Sequence, residues 1–260
     1  MNFRMDFLFP NYNCIKIKYI FVNLYFKHDK MKKIFLILAL TFLLVSCEND
    51  VKTNSPAFQG EKDNVFWRAT DSKVTFNTGG TISISAYTDK ELVTIEVPNT
   101  VGTHNLGTSN QNISASYSYN NEGTVLFYET SLIKGPVYKL NGIANSGSGY
   151  ASLNGNNLTT TGGSGNGLTL KITTNTAGAV TGATIASRGI DYKAGDVVTI
   201  NGGNANATVR ILNIMKSNGV VEIEKIEGNA YTGTFSFNAV DENGNVVNFN
   251  KGTFFKVPAY

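Results

Sequence analysis

Apolar and polar residues alternate with a period of two along most of the chain after residue 57. This period is typical of β-strands that bury one face, because successive side chains of a strand point to opposite sides. The alternating segments lie at 74–76, 82–86, 93–97, 113–119, 221–224, 235–239 and 247–249, and a continuous apolar run lies at 125–128. No window of comparable length has the helical period, so the sequence predicts an all-β protein.

The C-terminal part shows the alternation and its turn signal most clearly. Phe235 and Phe237 share one face of a strand, which should be buried, while Ser236 lies on the other face. Asn243-Gly244 then predicts a type I′ hairpin turn, which needs a positive φ at both central positions. Strands that bury a single face need a second layer, so we predict an antiparallel β-sandwich or a partly open barrel.

The segment 140–215 has a different composition, with 14 of the 26 glycines of the chain. Short strands are predicted within it at 168–173, 179–186, 197–200 and 207–212. We interpret it as a small glycine-rich β-module inserted into a loop of a host β domain, which residues 58–139 and 216–260 would form. The alternative is a long hairpin extension of the same sheet.

Two motifs of this segment carry a resemblance of their own. They are Gly-Gly-Ser-Gly-Asn-Gly at 162–167 and Gly-Asp-Val-Val-Thr-Ile at 195–200. They are similar to a small β-module that recurs in phage virion and bacterial surface proteins. The resemblance implies a β fold and a place on a surface.

Residues 31–50 have the pattern of a bacterial lipoprotein signal. Two lysines follow Met31, and the apolar run 34–45 has the length of a signal-peptide core and is too short to span a bilayer. The run leads into Leu-Val-Ser-Cys at 44–47, which resembles the lipobox whose cysteine is acylated and becomes the first residue after cleavage. Fatty-acyl chains on Cys47 would anchor the protein to the membrane.

These signals divide the N-terminal part into three predicted segments. Residues 1–30 precede the signal peptide and are interpreted as a mis-called N-terminal extension, because a signal peptide belongs at the N-terminus. Residues 31–46 are the signal peptide, and residues 47–57 are the lipidated cysteine with a polar tether. The expected location is the outer membrane, on its periplasmic or its cell-surface face.

The predicted cleavage changes the charge balance. Residues 1–46 hold seven of the 22 basic and two of the 19 acidic residues, which leaves 15 basic against 17 acidic and turns the formal net charge from +3 to −2. Nothing in this balance favours nucleic acid as a partner. Cys14 falls in the removed part and Cys47 is the lipid site, which excludes disulfides and cysteine-based zinc sites from the mature domain.

Motifs on both sides of the glycine-rich segment carry a second resemblance. They are Phe-Trp at 66–67, Gly-Thr-His-Asn-Leu at 102–106, Gly-Thr-Phe-Ser-Phe-Asn-Ala at 233–239 and Asp-Glu-Asn-Gly at 241–244. Over residues 57–135 and 216–260 the chain resembles an uncharacterised domain-of-unknown-function family of small Bacteroidota lipoproteins. This resemblance implies fold and location and brings no activity with it.

Candidate catalytic residues are few. His104 is the single histidine after the predicted cleavage point, and in its setting a loop or strand-end residue is more typical than a general base. The glutamates that could supply the carboxylate pair of a glycoside hydrolase are Glu91, Glu96, Glu222, Glu224 and Glu227. The alternation of these glutamates with other residues is typical of a solvated strand face. The glycine run at 162–167 lacks the Lys-Ser/Thr pair that a P-loop needs. We therefore predict no enzyme, no cofactor and no metal ion.

Aromatic residues suggest a binding surface instead. Candidates for stacking on a sugar are Trp67, Tyr117, Tyr119, Tyr128, Tyr138, Tyr150 and Tyr192. Tyr150 and Tyr192 are the predicted ligand contacts, although packing in a core or at its rim is the commoner use of such residues. The predicted function is a non-enzymatic binding or adhesion module of the cell envelope, whose partner is a glycan or an envelope protein. The alternatives are a purely structural envelope protein and a cryptic glycoside hydrolase.

Overall fold

The computed structural model describes residues 57–260. The predicted extension, the signal peptide and Cys47 lie outside this range, as does the predicted tether except for its last residue. Within the described range, no helix is both long and apolar enough to cross a membrane.

The described part of the chain consists of β-strands with one short 3-10 helix at Ala151–Leu153. The strands are β1 (Ala57–Lys62), β2 (Val65–Arg68), β3 (Asp71–Phe76), β4 (Thr81–Tyr87), β5 (Glu91–Pro98), β6 (Gly102–Leu106), β7 (Ser114–Asn121), β8 (Thr124–Glu129), β9 (Val137–Asn145), β10 (Asn157–Thr161), β11 (Asn166–Thr174), β12 (Val180–Ile190), β13 (Val197–Ile200), β14 (Thr208–Ile214), β15 (Asn218–Glu227), β16 (Ala230–Val240) and β17 (Val246–Pro258). The all-β prediction is confirmed.

The larger of the two sheets has eleven strands and is nearly closed on itself. Its order is β2-β1-β17-β16-β8-β7-β5-β4-β3, with β15 paired to β16 and β6 paired to β15. A parallel bridge joins Val74 of β3 to Ala259, and the N–H of Tyr260 donates to the carbonyl of Val74 at 3.1 Å. These contacts bring one end of the sheet back to the C-terminal strand, which makes the sheet a partly open barrel.

The barrel encloses a core rich in phenylalanine. The ring of Phe235 lies 4.6 Å from that of Phe58 and 6.2 Å from that of Phe237, centroid to centroid. All three are buried, whereas Ser236 lies half-buried on the outer face, so the predicted alternation of this strand is confirmed. Gly252 of β17 lies opposite Phe235 of β16, and a β-carbon at Gly252 would lie 2.6 Å from atoms of the ring. Only glycine therefore leaves room for this ring.

The turn after β16 differs from the predicted type I′ turn. Gly244 has a positive φ of 79°, but Asn243 does not. The Oδ1 atom of Asp241 accepts the N–H of Asn243 at 2.9 Å and that of Asn245 at 2.8 Å. This aspartate stabilises a three-residue loop with a left-handed glycine, which is the next commonest hairpin connection.

The second sheet holds residues Val137–Ile214 in the order β12-β11-β10-β13-β14-β9. It has a hydrophobic core of its own, separate from that of the barrel. The chain leaves the barrel after β8 and returns at β15, and the two connections run side by side. The N–H of Met215 donates to the carbonyl of Pro136 at 2.9 Å, and the hydroxyl of Ser217 donates to the carbonyl of Ser131 at 2.7 Å. That this segment folds by itself stays a prediction.

Candidate functional site

A polar cleft of about 590 Å³ lies between the outer face of the barrel and the second sheet. Strands β15, β16 and β17 form its floor, and β6, β9 and β14 contribute residues to its sides. Its volume is within the range of small-ligand sites, which is about 300–1,000 Å³. Six asparagines line it: Asn105, Asn213, Asn218, Asn238, Asn248 and Asn250. We call it the asparagine cleft.

Strand register places the asparagines of the floor in a row. Asn218 pairs with Asn238 across β15 and β16, and Asn238 pairs with Asn248 across β16 and β17. Phe237 and Phe249 point into the barrel core, so their neighbours Asn238 and Asn248 must point outward. Asn250, two residues beyond Asn248, lies on the same outer face.

The side-chain amides of this row donate to one another in a single direction. The Nδ2 atom of Asn250 donates to Asn248 at 2.9 Å, that of Asn248 to Asn238 at 2.7 Å, and that of Asn238 to Asn218 at 3.4 Å. At the end of the row, Asn218 donates to the carbonyls of Ile214 and Met215 at 2.8 and 2.6 Å. A carbonyl can only accept, so this last contact fixes the orientation of Asn218 and hence that of the row.

Two amide oxygens of the cleft are buried and lack a hydrogen-bond partner among the described residues. They are Oδ1 of Asn250, at the end of the row opposite to Asn218, and Oδ1 of Asn213. Asn213 is only 1% exposed, and its Nδ2 atom donates to the carbonyl of Leu106 at 3.1 Å. Each oxygen has almost no accessible surface, so a donor in the cleft reaches it only when the amide turns toward the cleft. A buried acceptor without a donor costs about 1–3 kcal/mol, and this cost favours such a turn when a ligand or solvent offers a donor. Chains of hydrogen bonds polarise one another, which strengthens the acceptor at Asn250.

An exposed tyrosine ring stands beside the amides. Tyr138 of β9 lines the cleft and is 44% exposed. The guanidinium of Arg188 lies 6.0 Å from its ring centroid, and Arg188 donates to the carbonyls of Val137 and Tyr138 at 2.7 and 3.1 Å. These bonds hold the arginine in place against the ring and favour one orientation of the ring.

The groups that line the cleft suit binding by hydrogen bonds better than proton transfer. Among its lining residues within 57–260, there is no aspartate, glutamate or histidine, and Lys139 is the charged one. Amides do not titrate near neutral pH, and each of them offers both donors and acceptors. The cleft therefore presents hydrogen-bonding groups without an acid–base pair.

A second polar cluster lies on the barrel and contains Glu91, one of the predicted glycosidase candidates. Its carboxylate forms an ion pair with Lys62 and accepts from the hydroxyl of Tyr117 at 2.6 Å and the indole N–H of Trp67 at 2.7 Å. Burial acts to raise the pKa of Glu91, but these hydrogen bonds together outweigh it and hold the pKa below its ordinary value. Burial and the hydrogen bond to Glu91 raise the pKa of Tyr117.

The two predicted ligand contacts, Tyr150 and Tyr192, are both fully buried in the core of the second sheet. The hydroxyl of Tyr150 donates to the carbonyl of Ile200 at 2.8 Å, and a β-carbon at Gly203 would lie 2.7 Å from its ring. Gly165 lies against the ring of Tyr192 in the same way. The structure therefore does not support their expected role in ligand contact. Glycine at these positions makes room for the two buried rings.

The structure places the other predicted catalytic candidates on several strands of the barrel. His104 lies on β6, where its Nε2 atom is 2.9 Å from the carbonyl of Thr100. Three of the candidate glutamates are exposed along β15: Glu222, Glu224 and Glu227. Glu96 accepts from Thr81 and Asn77 at 3.0 and 3.3 Å. In the part of the chain that the structure describes, no group of three His, Cys, Asp or Glu residues is placed to hold a metal ion.

Sequence reasoning missed the asparagine cleft. The one available signal was that Asn238, Asn248 and Asn250 alternate with buried phenylalanines or neighbouring core residues, and so must face outward. Asn105 and Asn213 come from strands whose position beside that face depends on long-range pairing. No local pattern indicates such a pairing.

Comparison with known proteins identifies a family but no activity. A family model described as a domain of unknown function (DUF6252) matches residues 54–150 and 144–258. The chain belongs to this family. The predicted resemblance to a domain of unknown function is thereby confirmed, and the DUF6252 match extends over both sheets. No curated protein and no solved structure matches the chain.

Proposed function

We propose that this DUF6252 protein is a lipid-anchored cell-envelope protein that binds a ligand in its asparagine cleft without converting it. The observation that carries the proposal is the row of oriented amides, with two buried acceptor oxygens that no described residue satisfies. Native proteins satisfy most of their buried polar groups, so two exceptions in a single cleft favour a binding role there.

The attachment to the envelope rests on the sequence. The signal-peptide pattern at 31–46 ends at Cys47, and acylation of this cysteine would hold the domain at the outer membrane. The polar residues between Cys47 and β1 would serve as the tether. In this arrangement the β domain lies in the periplasm or on the cell surface.

Glu91 does not suit the acid of a glycoside hydrolase. The acid of a glycoside hydrolase needs a raised pKa in order to hold its proton, whereas the pKa of Glu91 is lowered by its three partners. The lining of the asparagine cleft within residues 57–260 supplies no carboxylate at all. A purely structural envelope role remains the second candidate, and the following experiment separates it from binding.

Immobilised protein from Glu48 onward would be exposed to solubilised cell envelope, and the retained material would be quantified. Ser236→Trp places an indole in the cleft, whereas Thr234→Trp places one on the same face of β16, two residues away and outside the cleft. We expect the wild type and Thr234→Trp to retain the same material and Ser236→Trp to lose it. Equal retention by all three chains, or none by any of them, would favour the structural role.

A further inference from the structure

We infer that the ligand of the asparagine cleft is an uncharged saccharide chain. This inference rests on the proposed function, since it names the chemical class that the same cleft accepts. Four properties of the cleft lead to it: its two free acceptors, its aromatic ring, its charge and the pairing of its floor strands.

The free acceptors require a ligand that donates hydrogen bonds. Oδ1 of Asn213 and Oδ1 of Asn250 are both buried and both without a donor among the described residues. A hydroxyl group satisfies such an oxygen, and it can also accept from a neighbouring amide N–H. A ligand with several hydroxyls in sequence therefore matches a row of amides better than a ligand with a single donor.

The ring of Tyr138 suits the apolar face of a sugar. Pyranose rings carry C–H groups on one face and hydroxyls around their edge, so they pack on an aromatic ring while they hydrogen-bond at the side. Tyr138 is the exposed aromatic residue that lines the cleft, and Arg188 packs over its ring at 6.0 Å. An ordered ring loses little conformational entropy when a ligand stacks on it.

The charge of the cleft favours a neutral ligand. Two buried acceptor oxygens repel an anion, and a cation would need a carboxylate, which the lining within residues 57–260 does not contain. Lys139 is exposed, so water screens its attraction for an anionic sugar. Binding should consequently depend little on salt.

The floor of the cleft is unsuited to an extended peptide. Peptides that bind to a sheet add a strand at an open edge and use main-chain hydrogen bonds. Here β16 already pairs with β15 and β17 along the row of asparagines, so the main chain of the floor is occupied. The floor therefore offers side chains only, as a saccharide site does.

The test measures binding of neutral tetrasaccharides of glucose, mannose and galactose to the chain from Glu48, by calorimetry at low and at high salt. A uronic acid tetrasaccharide and an extended octapeptide serve as comparisons. We expect a neutral tetrasaccharide to bind equally well at both salt concentrations. Tyr138→Ala should weaken this binding roughly two- to tenfold, as the loss of one stacking contact implies, while Tyr138→Phe should keep it.

Three results would overturn the inference: no binding of any neutral saccharide, binding of the uronic acid chain alone with loss at high salt, or binding of the peptide alone. The envelope-retention experiment distinguishes the two possible failures. If the wild type retains material that Ser236→Trp loses, the cleft binds a ligand of another class; if their retention is equal, the proposed binding function fails as well. Equal binding by Tyr138→Ala and the wild type would likewise overturn the stacking geometry on which the inference depends.

Discussion

At the scale of single residues, the two polar clusters of the barrel differ in whether each buried polar group has a hydrogen-bond partner. In the asparagine cleft, two buried amide oxygens lack a hydrogen-bond donor among the described residues. Around Glu91 the polar groups do have partners, because one carboxylate receives donors from Lys62, Tyr117 and Trp67. The first arrangement favours a ligand, and the second stabilises the fold.

Glu91 should make the stability of the protein depend on acid pH. Its pKa in the folded state lies below the ordinary value of 4.5, so the ionised carboxylate stabilises the fold above that value. This stabilisation is lost as the pH falls through the lowered pKa of the folded state. Glu91→Gln should therefore lower the urea midpoint at pH 7 and flatten its dependence on pH between about 5 and 3. The same substitution at exposed Glu222 controls for the loss of one negative charge, and an unchanged pH profile in Glu91→Gln would contradict the interpretation.

Alanine substitutions at two glycines distinguish the loss of stability caused by a steric clash from that caused by backbone strain. Gly142 and Gly203 both have a positive φ, of 77° and 50°, so alanine strains the backbone at each by about 1–2 kcal/mol. A β-carbon at Gly142 would meet nothing within 4 Å, whereas one at Gly203 would lie 2.7 Å from the buried ring of Tyr150. Gly203→Ala should cost about 1–3 kcal/mol more than Gly142→Ala in urea denaturation. Equal costs would show that the tyrosine has room to move.

At the scale of elements, the period-two pattern located the strands with strong alternation but missed several others. The segments 82–86, 93–97 and 235–239 correspond to β4, β5 and β16. The strands β1, β6 and β9 were not predicted. They pair with β17, β15 and β14, which are far away in sequence, and a local pattern does not show such pairing. The exposure of β8 was not predicted either. Its apolar residues Val125, Leu126 and Phe127 are all exposed in the structure. Only the residue pair Val240 and Glu129 joins β8 to β16, so most of that strand edge is left uncovered.

The candidate site could be predicted only in part, for the same reason. Local alternation shows that Asn238 and Asn248 face outward, and the hairpin between them sets their register. Tyr150 and Tyr192 of the glycine-rich segment were predicted as ligand contacts. Both rings are buried instead, with Gly203 packed against Tyr150 and Gly165 packed against Tyr192.

The second sheet should be removable without unfolding the barrel. Its hydrophobic core is separate, and its two connections are joined by a hydrogen bond from Ser217 to Ser131, which both lie outside the replaced residues. A short Gly-Ser linker in place of residues 140–215 should therefore leave cooperative thermal unfolding of the remaining chain, since loop closure costs only about 0.6 kcal/mol per doubling of length. Loss of cooperative unfolding would show that the segment supplies part of the barrel core.

At the scale of the whole molecule, the chain combines the proposed lipid anchor with a barrel and a second sheet, and this sheet forms one side of the asparagine cleft. The same deletion that leaves the barrel folded would remove Asn213 and hence one of the two free acceptors. On this account the glycine-rich segment matters for binding rather than for the stability of the barrel.

The anchor can be tested by substitution of either cysteine in the full chain. Cys47→Ser should abolish labelling by a fatty-acid analogue and leave an uncleaved precursor in the inner membrane, because serine cannot form the thioether to the lipid. Cys14→Ser should be labelled, cleaved and sorted like the wild type, since that cysteine precedes the signal peptide. Normal processing of Cys47→Ser would contradict the predicted anchor.

The most direct test of the binding site is hydrogen–deuterium exchange of the chain from Glu48, with and without the envelope material that it retains. Exchange reports the opening of individual backbone hydrogen bonds, so it locates the contact on the fold. The account predicts slower exchange in β15, β16 and β17 and in the part of β9 around Tyr138, with β3, β4 and β5 unchanged. Slowing that is confined to β8 or to β10–β13, or no slowing at all, would contradict the assignment of the asparagine cleft as the binding site.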